Sequence, residues 1–314
     1  MALSNSYDFS TTRDTLITDA LLYIGALGEG ETPTSSSVTE AARMLNMLMK
    51  AWAADGMPVW ALDRGYVLPI TDVSSIATTS HVVTDYTTTT LSADEAASQT
   101  VLSVTSSAGM TALDQVGIEL DDGTMHWTTI VSVDSSVQIT ITSALASVAS
   151  SGNRLFSYTA STDRVARPIR VVHADLLNVT DATSNEIDIV DRQTYFNLPS
   201  RTEEGSINVL YHDPELSAGQ IYFWPRFQSG DDVIEFTFQR PFMDFDSASD
   251  NPDCPQEFYL ALTLGLASLL GPKYGIDLKE RQMLMVEAKL YRDEALSTIY
   301  AEGSIYIQPE HRGN

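Results

Sequence analysis

The chain has 314 residues, a single cysteine, and 42 Asp and Glu against 18 Lys and Arg, for a formal net charge of −24. That length buries a substantial core without metal or disulfide help, and the lone Cys254 excludes an intramolecular disulfide framework. So acidic a chain repels phosphates at long range, which argues against a sequence-reading nucleic-acid binder.

The first residues lack the basic start and apolar core of a secretory signal, and no apolar run approaches the roughly 20 residues that span a bilayer. A soluble protein made in a cytoplasm, with no membrane association, is the expectation. Thr11 or Thr12 can cap a first helix whose Leu16, Ile17, Ala20, Leu21 and Ile24 share one stripe, with Gly25 and Gly28 ending it. Ser37-Val-Thr-Glu40 has the form of a capping box ahead of a second stripe, Ala41, Ala42, Leu45, Leu48, Met49 and Trp52. Asp55-Gly56-Met57-Pro58 is its stop, so two amphipathic helices open the chain as a hairpin.

Tyr66–Ile70 enters a strand, after which composition shifts to Thr, Ser, Ala and Val until about Tyr158. No Lys or Arg occurs between Arg64 and Arg154, whereas nine acids do, which reads as an acidic solvated surface. Alternating runs at Thr100–Val104, Gln115–Leu120, Met125–Val131 and Val137–Ile141, with a turn at Asp121-Asp122-Gly123, predict a small inserted β-barrel or sandwich. Farther on, Ile221–Trp224 and Val233–Arg240 alternate as strands around a turn-rich Pro225–Asp232, which predicts a hairpin. Pro255 opens a helix in which Phe258–Leu270 is apolar nearly all round and Gly271-Pro272 is the break. Asp277-Leu-Lys-Glu280 caps a last helix, with Leu284, Ala288, Tyr291 and Ala295 on one face and charge on the other. The tail from Ser304 reads as extended.

Catalytic motifs are sparse. His81, His126, His173, His212 and His311 stand apart, without the three- or four-residue spacing of metal ligands. Asp231-Asp232 and Asp244, Asp246 and Asp250 lie in turn-rich sequence, where aspartate serves backbone hydrogen bonding. The aromatic run Tyr222-Phe223-Trp224, with Tyr195, Phe196, Tyr211, Phe236 and Phe238, has no interleaved bases and reads as sheet core or subunit interface. Neither a catalytic residue, a metal nor a cofactor is expected.

Several of these blocks, in order, resemble the head-to-tail adaptor proteins of short-tailed bacteriophages. They are Ala20–Ala26, Met47–Gly56, Tyr195-Phe-Asn-Leu-Pro199, Ile221-Tyr-Phe-Trp-Pro225, Gln239-Arg-Pro241 and Pro255-Gln-Glu-Phe258. The β-insert is similar to modules found in some members of that family. Taken together, the helix stripes and alternating runs predict an α+β fold: a helical bundle, made of the N-terminal hairpin and the C-terminal helices, with a central antiparallel β-sheet and an inserted small all-β domain. In that division, residues 1–71 and 159–303 form the core, 72–158 the insert and 304–314 an extended tail. The resemblance further implies a homo-oligomeric ring of twelve copies between the portal protein and a tail nozzle or tail-fibre protein. Genome DNA would pass through its lumen without specific binding, at the head-tail junction of the virion. It also implies that the tail grips the portal, for which Ile305, Tyr306, Ile307 and Pro309 are the candidate anchors. Two other classes stay open: a tail-associated cell-wall glycan hydrolase, and a receptor- or glycan-binding tail protein acting through the β-insert.

Overall fold

In Asp232–Gln239 buried side chains fall on both sides of the strand and none is fully exposed, which a chain tolerates only where neighbours pair both edges and cover both faces. The computed structural model describes residues 6–28, 30–54, 61–216, 218–228 and 230–299. In chain order its elements are α1 (Arg13–Tyr23), α2 (Ser35–Ala54), β1 (Leu62–Val67), β2 (Ser75–Ala77), β3 (Val82–Val83), β4 (Thr87–Thr90), β5 (Val101–Ser103), β6 (Gln115–Glu119), β7 (Met125–Ser135) and β8 (Gln138–Ile141). There follow β9 (Arg154–Tyr158), β10 (Arg170–Asn178), β11 (Thr183–Glu186), β12 (Asp188–Ile189), α3 (Arg192–Phe196), β13 (Val209–Asp213), β14 (Gln220–Trp224), β15 (Asp232–Gln239), α4 (Tyr259–Tyr274) and α5 (Leu278–Ile299).

The expected helical bundle around one central sheet is not what forms. The protein is mainly β, with its described strands in three sheets of five, four and six strands. Short Thr- and Ser-rich segments with little apolar periodicity, such as β4 and β11, supply several of these strands, so local pattern alone does not reveal them. The chain divides into two compact units, Met1–Ala61 with Phe242–Asn314, and Leu62–Pro241.

In the β unit, the five-stranded sheet runs β11-β10-β15-β1-β3 and the four-stranded sheet β12-β13-β14-β2. Val67, Ile76, Leu176, Ile221, Phe223 and Phe236 belong to one buried cluster, so these two sheets share a core. The predicted hairpin of Ile221–Arg240 is therefore wrong: β14 pairs with β13 and β2, while β15 pairs with β10 and β1. Both strands alternate as read, but alternation does not say which partner a strand takes.

The six-stranded sheet runs β4-β9-β6-β7-β8-β5 around its own core of Leu102, Val116, Ile118, Ile130, Ile139 and Leu155. Its two edge strands approach each other where Thr105 N–H donates to Thr90 O at 2.9 Å and Leu91 bridges Val104. That curls the sheet toward closure and removes most of its free edge. Strands β2 and β3, which precede this module, belong to the other two sheets.

In the helical unit, α4 is the centre, with α1, α2 and α5 packed against it. Thr12 caps α1, its hydroxyl accepting from Thr15 N–H at 3.3 Å. The cap of α2 lies earlier than predicted: Thr34 accepts from Ser37 N–H at 3.2 Å, and Glu40 is drawn instead into an ion pair with Lys273. The predicted stop at Asp55–Pro58 lies outside the described residues. Helix α4 runs through Gly271-Pro272 and ends at Gly275, whose φ of +80° suits a glycine. Lys279 N–H donates to Asp277 Oδ1 at 2.7 Å at the start of α5.

Candidate functional site

The titratable groups singled out by sequence do not converge. His126 Nε2 lies 3.1 Å from Ser143 O, and His173 Nε2 lies 2.9 Å from Asp175. His212 Nε2 is buried without a hydrogen-bond partner beside Gly219, and burial holds its pKa below the usual value. His311 lies outside the described residues. Among the described residues, no three His, Cys, Asp or Glu side chains come together as a metal site.

The aspartates of the turn-rich segments are engaged locally. Asp250 Oδ2 accepts from Asp246 N–H at 2.8 Å and Ser247 N–H at 2.6 Å, while Asp244 pairs with Lys50 at 2.8 Å. Asp231 accepts from Thr180 Oγ1 at 2.7 Å, and Asp232 from Asn178 at 3.0 Å.

Among the described histidines, His81 is the one enclosed by aromatic rings. Its ring stacks on Trp127 at 4.0 Å between centroids, and Nδ1 meets the Tyr158 hydroxyl at 3.1 Å. Burial, assisted by the nearby Arg164 charge, pushes its pKa down to about 4. Trp127 Nε1–H donates to Pro69 O at 3.0 Å, so this cluster ties the strand β7 to the segment that follows β1. Its geometry is that of a packed seam: the imidazole is covered by an indole face rather than aimed at a cleft.

The aromatic run divides as strand alternation requires. Phe223, Phe236 and Phe238 enter the shared core, whereas Tyr195, Phe196, Tyr211 and Tyr222 form a second cluster beside β13 and β14. The buried Tyr195 hydroxyl donates to Phe223 O at 3.2 Å. The half-exposed ring of Phe196 is flanked by the Arg192 and Arg201 guanidinium groups at 5.4 and 5.1 Å from its centroid. Arg192 is held by Asp213 at 2.8 Å. Bases therefore do approach these aromatics, one from the start of α3 itself and one from the segment just after it.

The exposed apolar surface that stands out belongs to α5. Leu284, Ala288 and Ala295 pack inward as predicted, but Tyr291 is 38% exposed. The opposite face is not simply charged: Met283 is 55%, Val286 68% and Leu290 61% exposed. These three recur at three and four residues, so they form one row along the helix. The spacing is visible in the sequence, but the inward stripe beside it and the interleaved Glu and Lys conceal it. Cys254 is half-buried against the helical core, and burial together with Asp253 and Glu257 pushes its thiol up to about 12.

The candidate portal anchors Ile305, Tyr306, Ile307 and Pro309 lie outside the described residues. No protein-family model matches the chain, and no curated protein is significantly similar to it.

Proposed function

We propose that this chain is a structural assembly protein, a head-to-tail adaptor that joins copies of itself and a portal into a ring at a virion's head-tail junction. The observation that carries the reading is the exposed row Met283, Val286 and Leu290 on a long helix whose other face is packed on α4. Leaving such a row in water is unfavourable by roughly 25 cal/mol per Å² of apolar surface, and association removes that surface from water. The ordered sequence blocks that resemble the adaptor family give the reading its particular form. In it, Ile305, Tyr306, Ile307 and Pro309 serve as anchors on the portal, and the acidic subunits line a path along which DNA slides without being held.

The test is co-sedimentation and negative-stain imaging of the purified chain with the portal ring of its phage. The expected result is a second ring stacked on the portal, lost when the chain is truncated after Gly303. A chain that binds no portal under any assembly condition would remove the adaptor reading.

A further inference from the structure

We infer that the apolar row of α5 docks against the outer face of α2 in a second copy of this chain. The inference rests on the self-assembling reading above and names the surfaces that would carry it.

Helix α5 presents more than an apolar row. Glu280, Glu287 and Glu294 are all exposed, lie seven residues apart, and run along one flank of Met283, Val286 and Leu290. At 1.5 Å of rise per residue the carboxylates repeat every about 10.5 Å, in step with the apolar row. A second α5 is a poor partner in antiparallel packing, because that arrangement sets this acidic flank against its own copy. A surface that complements the acidic flank directly is a helix with an apolar centre and bases at the same interval.

Helix α2 carries such a surface. Its inward side is Ala41, Leu45, Met49 and Ala53; the side turned away from α4 carries Met47, 65% exposed, between Arg43 and Lys50. Arg43 and Lys50 are also seven residues apart, so their spacing matches that of the glutamates. The helical angles put the two bases on the flank of Met47 opposite in hand to the acidic flank of α5. Two helices packed in the same direction then bring bases against glutamates, with Met47 against the Met283, Val286 and Leu290 row. Lys50 already pairs with Asp244 at 2.8 Å and donates to Phe242 O, but its side chain is 43% exposed, an ammonium has a third proton to donate, and such surface pairs exchange readily.

Within one copy both surfaces face away from α4, the helix against which α2 and α5 are each packed. A contact between two different surfaces is head-to-tail. It leaves one α2 face and one α5 face free at the ends of every dimer, and repetition closes into a ring when the rotation permits.

The experiment uses two full-length charge-reversed proteins, R43E/K50E and E280K/E287K/E294K, in sedimentation velocity at low salt across a range of concentrations. The expected result is that the parent chain associates, each variant alone is at least tenfold weaker in association, and the equimolar mixture recovers heterodimers. Thermal melts of both variants verify that the charge changes leave the fold intact. Because Lys50→Glu also removes the pair with Asp244, a second pair tests the same contact without charge reversal. Met47→Cys and Val286→Cys, each in a Cys254→Ser background, should cross-link under oxidation only when mixed.

A parent chain that stays monomeric would overturn the inference. So would an R43E/K50E protein that associates like the parent, or V286C copies that cross-link to themselves as readily as to M47C. Portal binding by single copies that do not touch would sink this contact and keep the adaptor reading; association without portal binding would do the reverse.

Discussion

Trp127 lies directly over Gly117, its cross-strand partner on β6, so closely that a Cβ added at residue 117 would come within 2.6 Å of the indole ring. The indole has no easy way to move aside, because its Nε1–H is bonded to Pro69 O at 3.0 Å and its other face carries His81. Gly117→Ala is therefore expected to destabilise the protein by about 1–3 kcal/mol through overpacking, despite the usual gain from replacing a strand glycine. Urea unfolding of the two proteins checks this, and equal midpoints would mean that the indole shifts without cost.

Stability should fall with acid in a window set by His81. Its pKa is about 4 in the folded chain against an ordinary value near 6.5, so the folded state favours the neutral ring. The corresponding stability is fully present above about pH 6.5 and is lost as pH falls toward 4, by about 1.4 kcal/mol per unit and roughly 3 kcal/mol at most. His212, also lowered by burial, acts in the same sense. His81→Asn tolerates the left-handed backbone at that position, where φ is +51°, and should flatten the pH dependence between 6.5 and 4. An unchanged slope in denaturant titrations would assign the acid sensitivity elsewhere.

Cys254 should be chemically quiet. A thiol half-buried against the helical core and raised to about 12 carries almost no thiolate near neutrality. Labelling by iodoacetamide at pH 8 is expected to be at least tenfold slower in the folded chain than in urea, as read by intact mass. Equal rates would show that the thiol is open to solvent.

No measurable affinity for duplex DNA is expected at moderate salt, because a charge of −24 on each copy opposes the phosphate backbone. The described arginines that approach the aromatics are engaged within the chain: Arg192 with Asp213 and Phe196, and Arg201 with Phe196. Fluorescence anisotropy with labelled duplex across a salt series is the measurement. Tight binding with a steep salt slope would contradict the expectation.

The first helix, its Thr12 cap, the inward stripe of α2 and the largely buried α4 are all readable from residue order. Their causes are local: a 3.6-residue period, a side chain that caps a free amide, and a run too apolar to face water. The strands β5 to β8 were legible for the same reason, at period two. Strand pairing was not. Residues 225–231 look like a hairpin turn, yet they carry the chain from the four-stranded to the five-stranded sheet, because β14 gains more from β13 and β2 than from its neighbour in sequence.

For the same reason Gly271-Pro272 failed to end α4: packing on three helices outweighs the loss of one backbone hydrogen bond. The surroundings of His81, assembled from residues as distant as Trp127 and Tyr158, likewise exist only once the sheets are built. Charge, helix periods and caps follow from residue order, since each depends on neighbours within a turn or two. Tertiary structure alone decided the dominance of β-sheet, the partner of each strand, and which apolar row of α5 was left in water. Those outcomes depend on competition among distant surfaces for the same core, and no local window contains that competition.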